Sequence, residues 1–191
     1  METFFNPLSV AIVGATEKPG SLPGIILKNL LSMGFKGKMY PVNPKYETVF
    51  GLNCFPSILD IPDEVALTVI AIPAPWVLDV LQQQAHKRIH HAIIISAGFR
   101  EKGAEGIEME ERIRRVAIEN DMRILGPNCL GVLDNYTNFT TSFLSWERVS
   151  IPKKGSLSIL SQSGAFAIAL LDLAAQDGLG IAKMINYGNR I

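Results

Sequence analysis

VAIVGATEKPGSLPG, residues 10–24, holds a short apolar β-branched run that stops at Gly14 and is followed by Gly20, Ser21 and Gly24. Residues 9–13 read as a buried strand, because the run is short, continuously apolar and closed by a turn residue. Residues 20–24 then lead into a helix predicted over 25–33, where Ile26, Leu27, Leu30 and Leu31 share one face. Gly34 ends it, since glycine accepts the left-handed conformation past a helix terminus without steric cost. A strand that turns through glycine into a helix start directs backbone N–H groups at one point in space, and the helix dipole favours negative charge there. A diphosphate suits that place, with the Ser21 hydroxyl as a further donor.

Working outward, short β-branched runs continue to alternate with longer amphipathic ones. Strands are predicted at 38–42, 67–72, 91–95 and 122–125, and helices at 76–87 and 105–120. Pro75 suits a first helical turn, where a missing N–H costs nothing; 57–59 reads as one helical turn and 96–103 as a glycine-containing loop. The pattern is that of an α/β fold, a Rossmann-like, doubly wound parallel sheet of five strands. From 135 to 154 the periodicity disappears among Asn, Thr, Ser, Pro and Lys, which reads as an interdomain connection or a long surface loop. A strand over 156–160, a helix over 164–176 and a strand over 181–186 follow. The expected division is a first domain at 1–140, a connection at 141–154 and the truncated beginning of a second, flavodoxin-like α/β domain at 155–191, in a natural protein that continues further.

Composition narrows the function classes. Apolar residues make up 48% of the 191 residues, and 18 basic side chains balance 18 acidic ones, so neither disorder nor a broad nucleic-acid-binding face is expected. Cys54 and Cys129 are too few for a disulfide framework and lack metal-knuckle spacing, which points to a reducing, cytoplasmic location. No basic leader precedes a long apolar run, and no apolar segment is long enough for a membrane span.

The spacing of the glycines is neither GxGxxG nor GxxxxGK[ST], so the usual dinucleotide and P-loop fingerprints are absent. Where a nicotinamide-binding sheet carries a ribose-binding acid after its second strand, this chain has PVNPK, residues 41–45. Lys45 there favours a phosphorylated ribose or a diphosphate, and coenzyme A carries both. Tight strand–helix packing is the competing reading for Gly14 and Gly24, and an ordinary surface lysine that for Lys45.

An ordered series of motifs extends over nearly the whole chain: VAIVGAT with its glycines, YPVNPK at 40–45, IPAP at 72–75, ISAGFREKG at 95–103, LGPNCLG at 125–131 and LSILSQSGAFA at 157–167. The series resembles the nucleoside-diphosphate-forming acyl-CoA synthetases. It is closer to the CoA-binding alpha region of ADP-forming acetyl-CoA synthetase than to the succinyl-CoA synthetase alpha subunit. The resemblance implies that Gly14, Ala15, Thr16 and Ser21 approach the CoA diphosphate and that Lys45 lies near the CoA phosphates. Pro73, Ala74 and Pro75 would border the adenosine or pantetheine path, beside Ser96, Ala97 and Gly98, and the loop containing Asn128 would face the active centre. It also implies that Ser161, Ser163 and Gly164, which open a helix after a strand, cradle a phosphate; the GxSxG elbow of hydrolases is absent.

The family mechanism passes phosphate through a histidine. His86, His90 and His91 lie in AHKRIHH, at a helix–strand boundary, and read as boundary packing with no carboxylate to complete a metal site. The family's phosphorylated histidine is expected beyond Ile191, as is the nucleotide-binding grasp domain or subunit that would supply ATP or ADP and Mg. Tyr187 to Arg190 resembles the family's glycine–asparagine turn. Cys129 reads as a sheltered small residue, with no base to activate it. No catalytic residue is assigned within the chain. The alternatives are a stand-alone CoA-binding or sensing module, the CoA-binding region of a protein acetyltransferase, and a nicotinamide-dependent oxidoreductase.

Overall fold

The computed structural model describes residues 1–145 and 151–191. Five parallel strands form the main sheet: β1 (Ser9–Val13), β2 (Lys38–Val42), β5 (Leu67–Ile70), β6 (His91–Ile94) and β7 (Arg123–Leu125), in the spatial order β2-β1-β5-β6-β7. Helices α1 (Leu22–Met33), α2 (Val77–His86) and α3 (Ala104–Glu119) cover it, so the central strands are buried on both faces and read as unbroken apolar runs. Two apolar clusters result. One places Ala11, Ile70 and Ile94 against α2 and α3, and the other places Ile12, Val69 and Ile93 against Ile26, Leu27 and Leu30 of α1. The strand order reverses at β1, and an open α/β sheet presents its binding crevice at such a reversal, outside the carboxyl ends of the strands.

The predicted elements fall at or near their expected places. α1 begins three residues before the predicted start, because Pro23 occupies its first turn where a missing N–H is harmless. The turn predicted at 57–59 is a short 3-10 helix, Ile58–Asp60, capped by the Ser57 hydroxyl, which accepts from the Leu59 amide at 3.0 Å. Periodicity misses a small hairpin, β3 (Thr48–Val49) with β4 (Leu52–Asn53), since two-residue strands carry no detectable alternation.

The larger correction concerns residues 131–145. β8 (Gly131–Asp134) and β9 (Phe139–Thr140) join β10 (Lys154–Ser161) and β11 (Ile181–Asn186) in a second sheet of order β10-β11-β8-β9, with α4 (Gly164–Gln176) packed against it. The start of the second βαβ unit therefore packs onto the first part of the chain through antiparallel pairing of β11 with β8. Thr140, Thr141 and Ser142, expected in a surface loop or connection, are fully buried. Their polar groups are satisfied internally. The Thr141 hydroxyl donates to Leu130 O at 3.2 Å and accepts from the Val132 amide at 2.9 Å, and Asn29 Nδ2 of α1 donates to Ser142 O at 2.9 Å. The rest of the expected connection falls partly on 146–150, outside the described residues.

Candidate coenzyme site

The first turn is built by close backbone approach. Gly14 has φ +95°, and a Cβ there would lie 2.8 Å from both Ala71 O and Ile72 Cγ2. Its amide donates to Val42 O at 2.9 Å, so it joins the ends of β1, β2 and β5. At Gly24, a Cβ would sit inside contact distance of Thr16 O, so the 14–16 backbone rests directly on the first turn of α1. The packing reading of both glycines is thus realised: the space a side chain would need is taken by Ala71, Ile72 and Thr16, which draws the 14–16 backbone tightly onto the helix start.

Ala15 is fully buried, and the Thr16 hydroxyl donates to the Tyr46 hydroxyl at 3.1 Å and accepts from the Lys18 amide at 3.3 Å, so it shapes the turn from within. Ser21 stands at the N-cap of α1, where its hydroxyl makes no capping bond to the helix. Asn43, which with Pro44 closes the second strand as Asn-Pro turn signals do, fastens the second loop to the first: its Nδ2 donates to Ala15 O at 2.9 Å and its Oδ1 accepts from the Lys45 amide at 3.0 Å. Lys45 itself is exposed. A cleft of about 570 Å³ opens beside this turn, lined by Glu17, Lys18, Gly20, Gly24, Lys28 and Phe50 among others. Lys18 and Lys28 supply positive charge that the sequence reading did not assign.

Along the sheet edge, Ser96 stitches neighbouring loops rather than facing outward. Its hydroxyl donates to Ile72 O at 2.5 Å, the Ile72 amide donates to it at 3.2 Å, and its carbonyl accepts from the Asn128 amide at 2.9 Å. Gly98, with φ +109°, brings this loop against Ala74, whose Cβ lies 3.1 Å from the position of a Cβ at Gly98. Ala74 is buried, while Pro73, Pro75, Ala97 and Asn128 are exposed. Five strand ends at about 4.8 Å spacing make an edge of roughly 19 Å from β2 to β7, long enough for an extended ligand rather than a compact one.

At the far end the second sheet meets the first. Buried Asn186 accepts from the Leu130 amide at 2.7 Å through Oδ1, and its Nδ2 donates to Ser161 O at 3.0 Å and Gln162 O at 2.9 Å. One amide side chain therefore seats the 161–164 loop against the 126–131 loop, a role the sequence reading did not give it. The Ser161 hydroxyl donates to Ser163 O at 2.9 Å, and the Ser163 hydroxyl caps α4 by accepting from the Phe166 amide at 3.3 Å. Both hydroxyls thus shape the loop, and Gly164 opens a helix N-terminus of the kind that favours anions. Cys129 is fully enclosed; burial pushes its thiol up to about 12, against a hydrogen bond at Gly131, which leaves no thiolate for chemistry. Among the described residues no group of three His, Cys, Asp or Glu could hold a metal ion, and no helix is long and apolar enough to cross a membrane.

Comparison with known proteins supplies a context for this geometry. The profile of a CoA binding domain matches residues 8–135, and that of a succinyl-CoA ligase like flavodoxin domain matches 154–191. The chain is 39% identical over its whole length to acetate–CoA ligase [ADP-forming] I of Archaeoglobus fulgidus, of which it spans 27%. It is 38% identical to the alpha subunit of acetate–CoA ligase [ADP-forming] I of Pyrococcus furiosus, spanning 41% of it. Among solved structures, the dinucleotide-forming acetyl-coenzyme A synthetase 1 of Ca. Korarchaeum cryptofilum, in complex with phosphate and ADP, superposes with a TM-score of 0.90 at 38% identity. That match covers 99% of this chain and 39% of the synthetase. The chain therefore spans about a quarter to two fifths of the length of these relatives.

Proposed function

This chain belongs to the CoA binding domain family, and from that premise we propose that it is the coenzyme-binding portion of an ADP-forming acyl-CoA synthetase. Such an enzyme interconverts acyl-CoA, phosphate and ADP with carboxylate, CoA and ATP. The observation that carries the reading is the turn at Gly14, Ser21 and Gly24, where two glycines admit backbone contacts that exclude any side chain and a helix begins at a serine whose hydroxyl makes no capping bond. The residues present fit coenzyme A. The backbone amides of Ala15 and Thr16, Ser21 and the Lys45 ammonium would hold its phosphates, with Lys18 beside them. The loops at 73–75 and 96–98 would border the rest of the molecule on its way to Asn128. When bound, the coenzyme supplies the thiol that accepts the acyl group.

Ser161, Ser163 and Gly164 are read as the phosphate-binding loop of the second unit, held by Asn186 next to the 126–131 loop. In this reading residues 1–140 form the coenzyme-binding unit, 141–154 the connection and 155–191 the opening of the second, with the 131–140 hairpin as their seam. Nucleotide and magnesium enter through a further region or partner subunit, and the two reduced, buried thiols suit a cytoplasmic protein. The test is backbone amide exchange with and without coenzyme A. Protection is expected at residues 14–21 and 96–98, whereas protection confined to the α2–α3 groove would overturn the assignment.

A further inference from the structure

Asn189 is the meeting point of three segments that are distant in sequence. Its Nδ2 donates to Glu101 Oε2 at 2.7 Å and to Glu110 Oε1 at 2.7 Å, its Oδ1 accepts from Asn128 Nδ2 at 3.4 Å, and its backbone amide donates to Pro127 O at 2.9 Å. Carboxylates only accept, so the amide group can face them in one orientation alone. Glu110 is buried and paired with Arg100, whose Nε donates to Oε2 at 2.5 Å. Glu101 is the member that reaches the coenzyme edge, since its Oε1 accepts from the Gly98 amide at 2.5 Å and the Phe99 amide at 3.1 Å. Two negative groups converge on one neutral side chain, and without its two N–H donors they would face each other across the gap. The neighbouring Gly188 has no space for a Cβ, which would collide with Pro127 O and Asn128 O, so the turn is seated tightly where it lies.

We infer that Asn189 is a positioning residue that couples the 96–99 loop of the coenzyme edge to the strand β11 turn of the second sheet, through the carboxylate of Glu101. The order at Gly98 and Phe99 then depends on a side chain about ninety positions away, and any ligand that needs those amides in place is sensed by the second sheet. The inference rests on the coenzyme reading only for its effect on affinity; the coupling of the loops stands on the hydrogen bonds.

The test uses the full chain and four variants, N189A, N189D, E101A and the double variant N189D/E101Q, with thermal melts to establish folding. N189A and N189D are expected to raise amide exchange at Gly98 and Phe99 about tenfold. E101A, at an exposed side chain, is expected to do the same from the other end. In the double variant the new amide at 101 still accepts from both loop amides and can donate to the carboxyl introduced at 189, while Glu110 loses its donor and faces that carboxyl, so exchange should fall clearly below that of N189D without returning fully to the parent. In calorimetry, N189A is expected to weaken coenzyme A about tenfold while changing its fragment 3′-phospho-ADP by less than twofold. Unchanged exchange in both single variants at 189, or a double variant no better than N189D, would overturn the coupling. Equal weakening of coenzyme and fragment would reduce Asn189 to general support of the fold and so overturn the positioning role. If the parent binds no coenzyme A, the coenzyme reading fails, and the exchange measurements alone still decide the coupling.

Discussion

Gly24 leaves no room for a methyl group, because the Thr16 carbonyl occupies the space. G24A must push the 14–16 backbone off α1, at a cost on the order of 1–3 kcal/mol from overpacking, and coenzyme affinity is expected to fall at least tenfold; urea titration and calorimetry read the two effects separately. Asn186 is a second decisive residue. N186A strands the buried Leu130 amide, which should cost about 1–3 kcal/mol in urea unfolding. Glu101 contributes a pH dependence. Burial opposes its ionisation, but the Asn189 amide and the backbone N–H groups of Gly98, Glu101 and Phe99 outweigh it and hold the carboxyl at about 2, against an ordinary 4.5. A folded-state value below the unfolded one stabilises the protein fully above about 4.5 and loses that contribution as the pH falls toward 2. Acid unfolding of E101Q, followed by circular dichroism, should accordingly show a shallower slope in that window than the parent. The packing role of Gly24 is legible from its place at a strand–helix junction, whereas those of Asn186 and Glu101 are not, for an asparagine or glutamate announces its partner only when the chain is folded.

Element by element, legibility follows length and burial. β1, β2, α4 and β11 lie at their predicted limits, because each is an apolar run or stripe bounded by turn residues. The hairpin of β8 and β9 escaped prediction because its strands are only four and two residues long, and beside Val132, Leu133 and Phe139 the segment buries Thr140, Thr141 and Ser142, which look like loop residues until hydrogen bonds satisfy them. Their burial makes a specific claim. T141V keeps the shape but removes both the donor to Leu130 O and the acceptor of the Val132 amide, so a loss of about 1–3 kcal/mol is expected in chemical unfolding. A change below about 0.5 kcal/mol would mean that these two bonds do not fasten Thr141 to the 130–132 backbone.

For the whole molecule, the arrangement places the glycine-built helix start at Ser21 at one end of a parallel sheet edge and a second helix start, at Gly164, beyond the other. The motif series pointed to both ends from sequence, since glycines and strand–helix junctions are local features. The seam between them, made by Asn186, Asn189 and the 131–140 hairpin, depends on contacts between residues far apart in sequence and became visible only in three dimensions. The central claim is that the edge holds coenzyme A rather than a nicotinamide dinucleotide. Calorimetric titration of the folded protein with coenzyme A, repeated in the presence of excess NAD, tests it most directly: saturable one-site binding that NAD leaves unchanged is the predicted result, and no saturable heat, or displacement of coenzyme A by NAD, would contradict it.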